Sequence, residues 1–242
     1  MTLIDSHCHL FDMKKGYALP PDIYPVVVGY SHSSNRKAVE TARAGGYPFV
    51  LGIAPQTTVK EGVSKLEEWV SFIRESRPNA IGEVGLDYKW ATTKAHVDGE
   101  VLVFSRMIGL AREMGLPIVI HSRNNPADNE VPKDAVEDII RLTRGMRLLM
   151  HFYSGSEEQA RRIVDGGGYI SVAHMRSKER RKVINSVPLD RLLVESDSPY
   201  VGRTPESIRE AAAYIAEVKG IGAAEVAAAT SRNAMEFFGF SI

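Results

Sequence analysis

Short apolar runs recur along this chain, and each is followed by a stretch with the 3.6-residue period of an amphipathic helix. The runs fall at residues 2–6, 25–30, 49–53, 79–84, 117–121, 147–151, 168–173 and 190–195. They are short and almost entirely apolar, as expected of strands buried on both faces of a parallel sheet. Helical patterns lie near 35–45, 62–76, 96–114, 133–144, 156–165 and 177–186, with two more at 205–219 and 223–238. Gly115-Leu116-Pro117 and Gly166-Gly167-Gly168 stop one helix and start the next strand. Strand–helix units in this number predict an α/β fold, a single (β/α)8 barrel of the TIM type, with a doubly wound open sheet as the runner-up. Segment 10–24, with Pro20 and Pro21, reads as a loop over the barrel mouth. No linker or low-complexity tract interrupts the pattern, so one domain spanning 1–242 is expected.

Composition narrows the function. Lys plus Arg and Asp plus Glu each number 30, giving a formal net charge of zero. That balance weighs against a protein that coats long nucleic acid, but it leaves room for an enzyme that holds a few phosphates in one cleft. Cys8 has no partner for an internal disulfide and is expected to be a buried thiol without catalytic duty. No apolar run approaches the roughly 20 residues of a membrane helix. The first residues lack the pattern of a secretory signal, so a cytoplasmic protein with no membrane contact is expected.

In a parallel barrel, functional groups gather at the C-terminal strand ends. His7 and His9 close the first run two residues apart, so they point to the same side. Glu83 closes the fourth run, His121 the fifth and His151 the sixth, while Glu195 and Asp197 close the eighth. Singly, each has an ordinary explanation, such as a helix cap for Asp197 or a turn acceptor for Glu83. Together, four imidazoles and several carboxylates at one structural address indicate divalent metal. The mixture suits zinc, manganese, cobalt or nickel, and magnesium less well. Six ligands exceed what one open four-coordinate ion needs, and two ions follow if a carboxylate bridges. Asp197 is the candidate general base, and Glu195, deeper in the barrel, is expected to orient a ligand histidine by hydrogen bond. His32 and His174 follow strands two and seven and are placed near the mouth. Arg123, Arg203 and Lys89 are candidates for phosphate, and Tyr88 or Tyr153 for stacking on a base.

The motifs Asp5-Ser6-His7-Cys8-His9-Leu10, Gly82-Glu83-Val84-Gly85-Leu86-Asp87-Tyr88, Ile120-His121-Ser122-Arg123, His151-Phe152-Tyr153-Ser154-Gly155 and Glu195-Ser196-Asp197-Ser198-Pro199-Tyr200 together resemble the TatD family of metal-dependent deoxyribonucleases. The resemblance runs the length of the chain in order. It implies a two-metal centre with His7, His9 and Asp197 on one ion, His121 and His151 on the other, and Glu83 between them. It also implies hydrolysis of phosphodiesters by a metal-activated water, including exonuclease action on nucleic-acid ends. Four departures from the family pattern fall in loops facing substrate, one being segment 10–24, which differs from the family's usual acidic first helix. Ala54 stands where the family has a histidine in its Gly-x-His-Pro turn, Phe152 stands for a usual cysteine, and Val201 to Pro205 replaces an arginine-rich loop. The alternatives are a small-molecule amidohydrolase acting on an amide, lactone or phosphate ester, and a non-catalytic barrel. An open basic mouth with exposed aromatics would favour the nuclease; a closed apolar pocket would favour the small-molecule enzyme. The oligomeric state is not legible.

Overall fold

The computed structural model describes residues 2–127 and 129–242. Eight parallel strands form one sheet in the order of the sequence: β1 (Leu3–Cys8), β2 (Ile23–Val28), β3 (Phe49–Leu51), β4 (Ala80–Asp87), β5 (Ile118–Arg123), β6 (Leu148–Met150), β7 (Tyr169–Val172) and β8 (Leu192–Val194). Around it lie α1 (His32–Gly45), α2 (Pro55–Glu61), α3 (Leu66–Ser76), α4 (Lys94–Met114), α5 (Ala135–Leu142), α6 (Glu157–Asp165), α7 (Lys178–Ser186), α8 (Ile208–Lys219) and α9 (Ala223–Phe238). This is the (β/α)8 barrel that the alternating pattern predicts, and the open-sheet alternative is excluded by how the ends meet. Cys8 and Ser198 form an isolated parallel bridge, Asp197 N donates to His7 O at 2.9 Å, and His9 N donates to Ser198 O at 2.9 Å. The seam between β1 and the chain beyond β8 is therefore stitched near the mouth.

One buried carboxylate reinforces that seam. Asp5 Oδ1 accepts from Ser196 N at 2.9 Å and from His7 N at 3.2 Å, while Oδ2 accepts from the Ser196 hydroxyl. Burial pushes the Asp5 carboxyl up to about 8, against the lowering effect of those donors. Two apolar layers hold the barrel. Inside it, Ile4, Val26, Val50, Val119, Leu149 and Leu193 pack together, and Phe237 and Phe238 of α9 belong to the same cluster. The second layer lies between the sheet and the surrounding helices. No helix among the described residues is long and apolar enough to cross a membrane.

Two local features differ from the sequence pattern, and both matter for the site. First, β4 does not stop at 84. Its register on β5 shifts between Ile81 and Val84, then continues through Gly85↔His121 to Asp87↔Arg123. The bulge re-aims Glu83 while keeping the strand paired beyond it. Gly85, at φ +142°, is required there, because a Cβ would lie 2.0 Å from His121 O. Second, α2 is a helix where the pattern shows none. Pro55 starts it at N1, and Gly62, at φ +71°, ends it. Its seven residues include two β-branched threonines and no repeating apolar face, so periodicity could not reveal it. Segment 10–24 is mostly loop, with a short 3-10 turn at Leu10–Asp12, and Ile23 and Tyr24 already belong to β2.

Candidate metal centre

The strand ends bring His7, His9, Glu83, His121, His151 and Asp197 into one cluster. Glu83 is central. Its Oε2 lies 3.5 Å from His7 Nε2, and its Oε1 lies 2.9 Å from His121 Nδ1 and 3.4 Å from His151 Nε2. Asp197 Oδ1 is 3.3 Å from His9 Nε2 and 4.0 Å from His7 Nε2. All six are buried, the most open being His121 and Asp197 at 8%. Two groups have ligand atoms close enough to share an ion: His7 with Glu83 and His151, and His7 with His9 and Asp197. The grouping differs in one detail from the family analogy, since His151 pairs more closely with His7 than with His121. The His7 and His151 rings stack with centroids 4.0 Å apart, against 5.7 Å for His121 and His151.

The surroundings fix which nitrogen His9 and His121 present. His9 Nδ1 meets the Val28 carbonyl at 2.7 Å, so this nitrogen carries the proton and Nε2 is free. His121 Nε2 donates to Asp87 Oδ2 at 2.9 Å, leaving Nδ1 for Glu83 or an ion. His151 Nδ1 lies 3.4 Å from Glu195 Oε1 without hydrogen-bond geometry, and the other Glu195 oxygen accepts from Ser171 Oγ at 2.5 Å. His7 is the exception. It is fully buried, and neither ring nitrogen has a hydrogen-bond partner among the described residues. An orphaned buried imidazole between two carboxylates is the fit expected of a metal ligand, because leaving it unpaired is otherwise costly.

The charges within the cluster support one another. Burial would raise Glu83, but the His151 charge and the bonds from His121, His151 and His7 outweigh it and hold the carboxyl well below its usual range. His151 is pushed well above its ordinary value by Glu195 and Glu83 despite burial. His9 and His121 are raised against burial by Asp197 and by Asp87, respectively. Burial and the neighbouring His151 push His7 down. A divalent ion held by these neutral imidazoles and carboxylates would take over this role, and its binding would release protons.

A cavity of about 410 Å³ opens over the cluster. His9, Glu83, His121, His151 and Asp197 line it from the barrel. Lys60 and Arg123 supply positive charge, and Tyr30, Phe152 and Tyr200 supply aromatic surface. The two phenols are pinned from behind. Tyr200 OH donates to Asp12 Oδ2 at 2.8 Å, Tyr30 OH donates to the same oxygen at 3.1 Å, and both rings stand edge-on to His9 at 5.1 Å. Phe152 has φ 43° and Asp197 has φ 47°. This conformation is rare for a bulky side chain, and here both residues project from short turns at strand ends into the cavity.

Several expected substrate residues lie elsewhere. Tyr88 is 1% exposed, because its hydroxyl donates to Asp138 of α5 at 2.8 Å, and Tyr153 is 3% exposed, with its hydroxyl on Ser156 O. Neither can stack on a ligand. Arg203 is exposed but does not line the cavity, since the turn that carries it folds back through Gly202 N onto Ser196 O. His174 is also outside the lining; that side of the mouth holds Phe152, with the Arg180 guanidinium 5.0 Å above its ring. His32 faces the outer helices, 3.8 Å from Glu68 and edge-on to Phe72. Lys89 is exposed and also stands outside the lining. Arg123 is the one substrate candidate that the cavity retains. Gln56, Lys60 and Asp87 had no signal in periodicity, and Tyr30 closes the run at 25–30 but carries no metal-ligand signal. Asp87 lies within a motif that the resemblance quotes, where only Glu83 carried a role.

A closed parallel barrel with imidazoles and carboxylates massed at its C-terminal mouth defines a metal-dependent hydrolase. A family model described as TatD related DNase matches residues 4–239, and the chain belongs to that family. A metal-dependent hydrolase of Bacillus subtilis (strain 168), YabD, is 30% identical over 234 residues, covering 88% of this chain and 86% of its own. The putative deoxyribonuclease TATDN3 of Mus musculus is 32% identical over 269 residues, covering 98% and 88%. Among solved structures, YJJV, a TatD homolog from Escherichia coli k12, superposes with a TM-score of 0.80 at 24% identity, covering 99% of this chain and 98% of its own. The protein is thus a divalent-metal-dependent hydrolase of the TatD type.

Proposed function

We propose that this protein cleaves phosphodiester bonds at the ends of nucleic-acid strands, as an exonuclease, with two divalent ions in the cluster. The ligands in this reading are His7, His9 and Asp197 for one ion and His121 and His151 for the other, with Glu83 shared. The nitrogen-rich donor set suits zinc, manganese, cobalt or nickel better than magnesium. Residues 1–242 act as one catalytic domain, working in the cytoplasm. The observation that carries the reading is the cavity lining. Lys60 and Arg123 stand beside the ligand cluster, and three aromatic rings surround a space of about 410 Å³, the scale of one nucleotide. Tyr200, 58% exposed, continues that aromatic surface outward.

Bound metal supplies a more acidic water and stabilises anionic oxygens of the phosphate. The chain's own groups do the rest. Arg123 and Lys60 hold phosphate oxygens. Phe152 and Tyr200 flank the base, and Tyr200 is kept from swinging by Asp12. Asp197, whose Oδ1 faces His9 and His7, accepts the proton of the attacking water and returns it to the leaving oxygen. Asp87 and Glu195 act behind the ligands and set the rings of His121 and His151.

The test is to measure metal content and then assay end-labelled single strands beside generic phosphate, ester and amide substrates. Stepwise loss of terminal nucleotides, abolished by a chelator, is expected. Hydrolysis of an amide or lactone with no cleavage of any strand would overturn the nuclease reading in favour of the small-molecule one.

A further inference from the structure

Gln56, the second residue of α2, has a side-chain amide whose orientation is settled by its neighbours. Its Nε2 lies 2.7 Å from Asp87 Oδ2 and 3.1 Å from His121 Nε2. A carboxylate only accepts, so the amide nitrogen must face Asp87. His121 Nε2 also points its proton at that oxygen, at 2.9 Å. The short Gln56–His121 separation is therefore two donors converging on one acceptor rather than a bond between them. Asp87 is fully buried, and its second oxygen accepts from Trp90 N at 3.0 Å, so this anchor is itself fixed. One of the two Nε2 protons is spent on Asp87, and no hydrogen bond reaches Oε1 among the described residues. Gln56 lines the cavity beside Thr57, Lys60 and Arg123. It thus presents an acceptor oxygen beside one remaining N–H.

The position gives that acceptor a meaning. The His121 ring spans the distance between Gln56 and the reacting centre, because its other nitrogen is 2.9 Å from Glu83 Oε1. One five-membered ring and a hydrogen bond separate Gln56 from Glu83. A sugar ring places a comparable span between its phosphate and its other hydroxyl. A phosphate oxygen carries no proton to give Oε1, whereas a hydroxyl does. We propose that Gln56 Oε1 accepts a hydrogen bond from the terminal sugar hydroxyl of the strand, and so selects strands that end in a free hydroxyl one sugar from the bond to be cut. This rests on the nuclease reading above. The chemistry is shared by a 3′ and a 5′ hydroxyl, and the experiment separates them.

Four otherwise identical short single strands are compared, ending in a 3′-hydroxyl, a 3′-deoxy, a 5′-hydroxyl or a 5′-deoxy sugar. The metal-loaded protein and its Gln56→Met and Gln56→Ala variants are each assayed for kcat/KM, and melting temperature and metal content confirm that the variants are folded and loaded. Methionine keeps the length and removes the acceptor. The native protein should prefer a hydroxyl over its deoxy counterpart at one end by about 3- to 10-fold, the range of a net neutral hydrogen bond. The end that shows the preference identifies which hydroxyl is read. In both variants the ratio should fall to about 1. If Gln56 served only to steady Asp87 and His121, all four strands would slow together and the ratio would survive; that result overturns the proposal. So does a native protein that cleaves strands but ignores the hydroxyl at both ends, in which case the nuclease reading stands alone. Failure of the native protein to cleave any strand, while it cleaves another substrate class, removes the nuclease reading and this inference with it.

Discussion

Glu100 of α4 is the most informative place to perturb the scaffold without touching the cavity. It is 1% exposed, its Oε2 accepts from Asp87 N at 2.9 Å, and its Oε1 has no partner among the described residues. Burial pushes its carboxyl up to about 8, with the Asp87 N–H opposing and the Asp87 charge assisting. Between the ordinary 4.5 and about 8, the folded protein keeps a proton that the unfolded chain has released. The folded state binds more protons, so stability falls as pH rises through that window and levels off above about 8. At about 1.4 kcal/mol per pH unit the full window is worth about 5 kcal/mol, of which about 2 kcal/mol should survive relaxation around the site. Glu100→Gln removes the titration while keeping an oxygen for Asp87 N and adding a donor. It should match the native protein near pH 4.5 and be more stable by about 2 kcal/mol at pH 8 to 9. For a chain of this size that is about 4 to 8 °C in melting temperature. Melting curves from pH 4.5 to 9 on the metal-loaded protein measure it. A variant whose melting temperature tracks the native one in parallel across the whole range would show that Glu100 is ionised in the fold, and the argument would be wrong.

Further expectations concern the centre itself. Glu83→Ala should lose both ions and most of the melting-temperature rise that metal gives the native protein, about 2.7 kcal/mol at a hundredfold excess over Kd, whereas His121→Ala should weaken one ion; equal small losses by metal analysis would remove Glu83 from the shared position. Asp197→Asn should fold, keep at least one ion and lose turnover by orders of magnitude, while Glu195→Gln should lose about 10- to 100-fold, and near-normal turnover of Asp197→Asn at saturating metal would reassign the base. Asp5→Ala leaves the His7 and Ser196 backbone donors at the barrel seam unpaired and should cost about 2 to 5 kcal/mol in denaturant melts, with a loss under 1 kcal/mol counting against the seam as a structural lock.

The barrel was legible because its signal is periodic: buried parallel strands read as apolar runs, and the helices between them show one apolar face. The six clustered donors were legible for a related reason, since each closes or immediately follows such a run. The substrate wall was not. Gln56 sits on a seven-residue helix with no amphipathic stripe, Lys60 is a turn further along it, and Tyr30 ends the apolar run at 25–30, where an aromatic ring reads as core. Tyr88 and Tyr153 misled for a physical reason. An aromatic next to a ligand motif can face either way, and Asp138 and the Ser156 carbonyl each capture a hydroxyl on the inner side. Loop residues take their direction from such long-range partners, which no local pattern encodes.

An acid at the end of an apolar run is a weaker signal than an imidazole there, and the structure shows why. Asp5, Glu83, Asp87, Glu100, Glu195 and Asp197 are all buried in or behind the mouth, yet only Glu83 and Asp197 line the cavity. The others stand behind it: Asp5 on the seam, Asp87 and Glu195 beside ligand rings, Glu100 beneath Asp87. A mouth that holds divalent cations needs negative charge at the ions, and it also needs acceptors one shell out to fix each ring's tautomer. His9 uses a backbone carbonyl for this purpose and His121 a carboxylate; His151 Nδ1 only lies near Glu195, at 3.4 Å, and neither His7 nitrogen has a hydrogen-bond partner among the described residues. His7 is therefore the ligand whose orientation depends most on the ion itself. Removing metal should loosen His7 before His9 or His121, and the imidazole proton resonances of the four histidines, followed through chelation, would show that order.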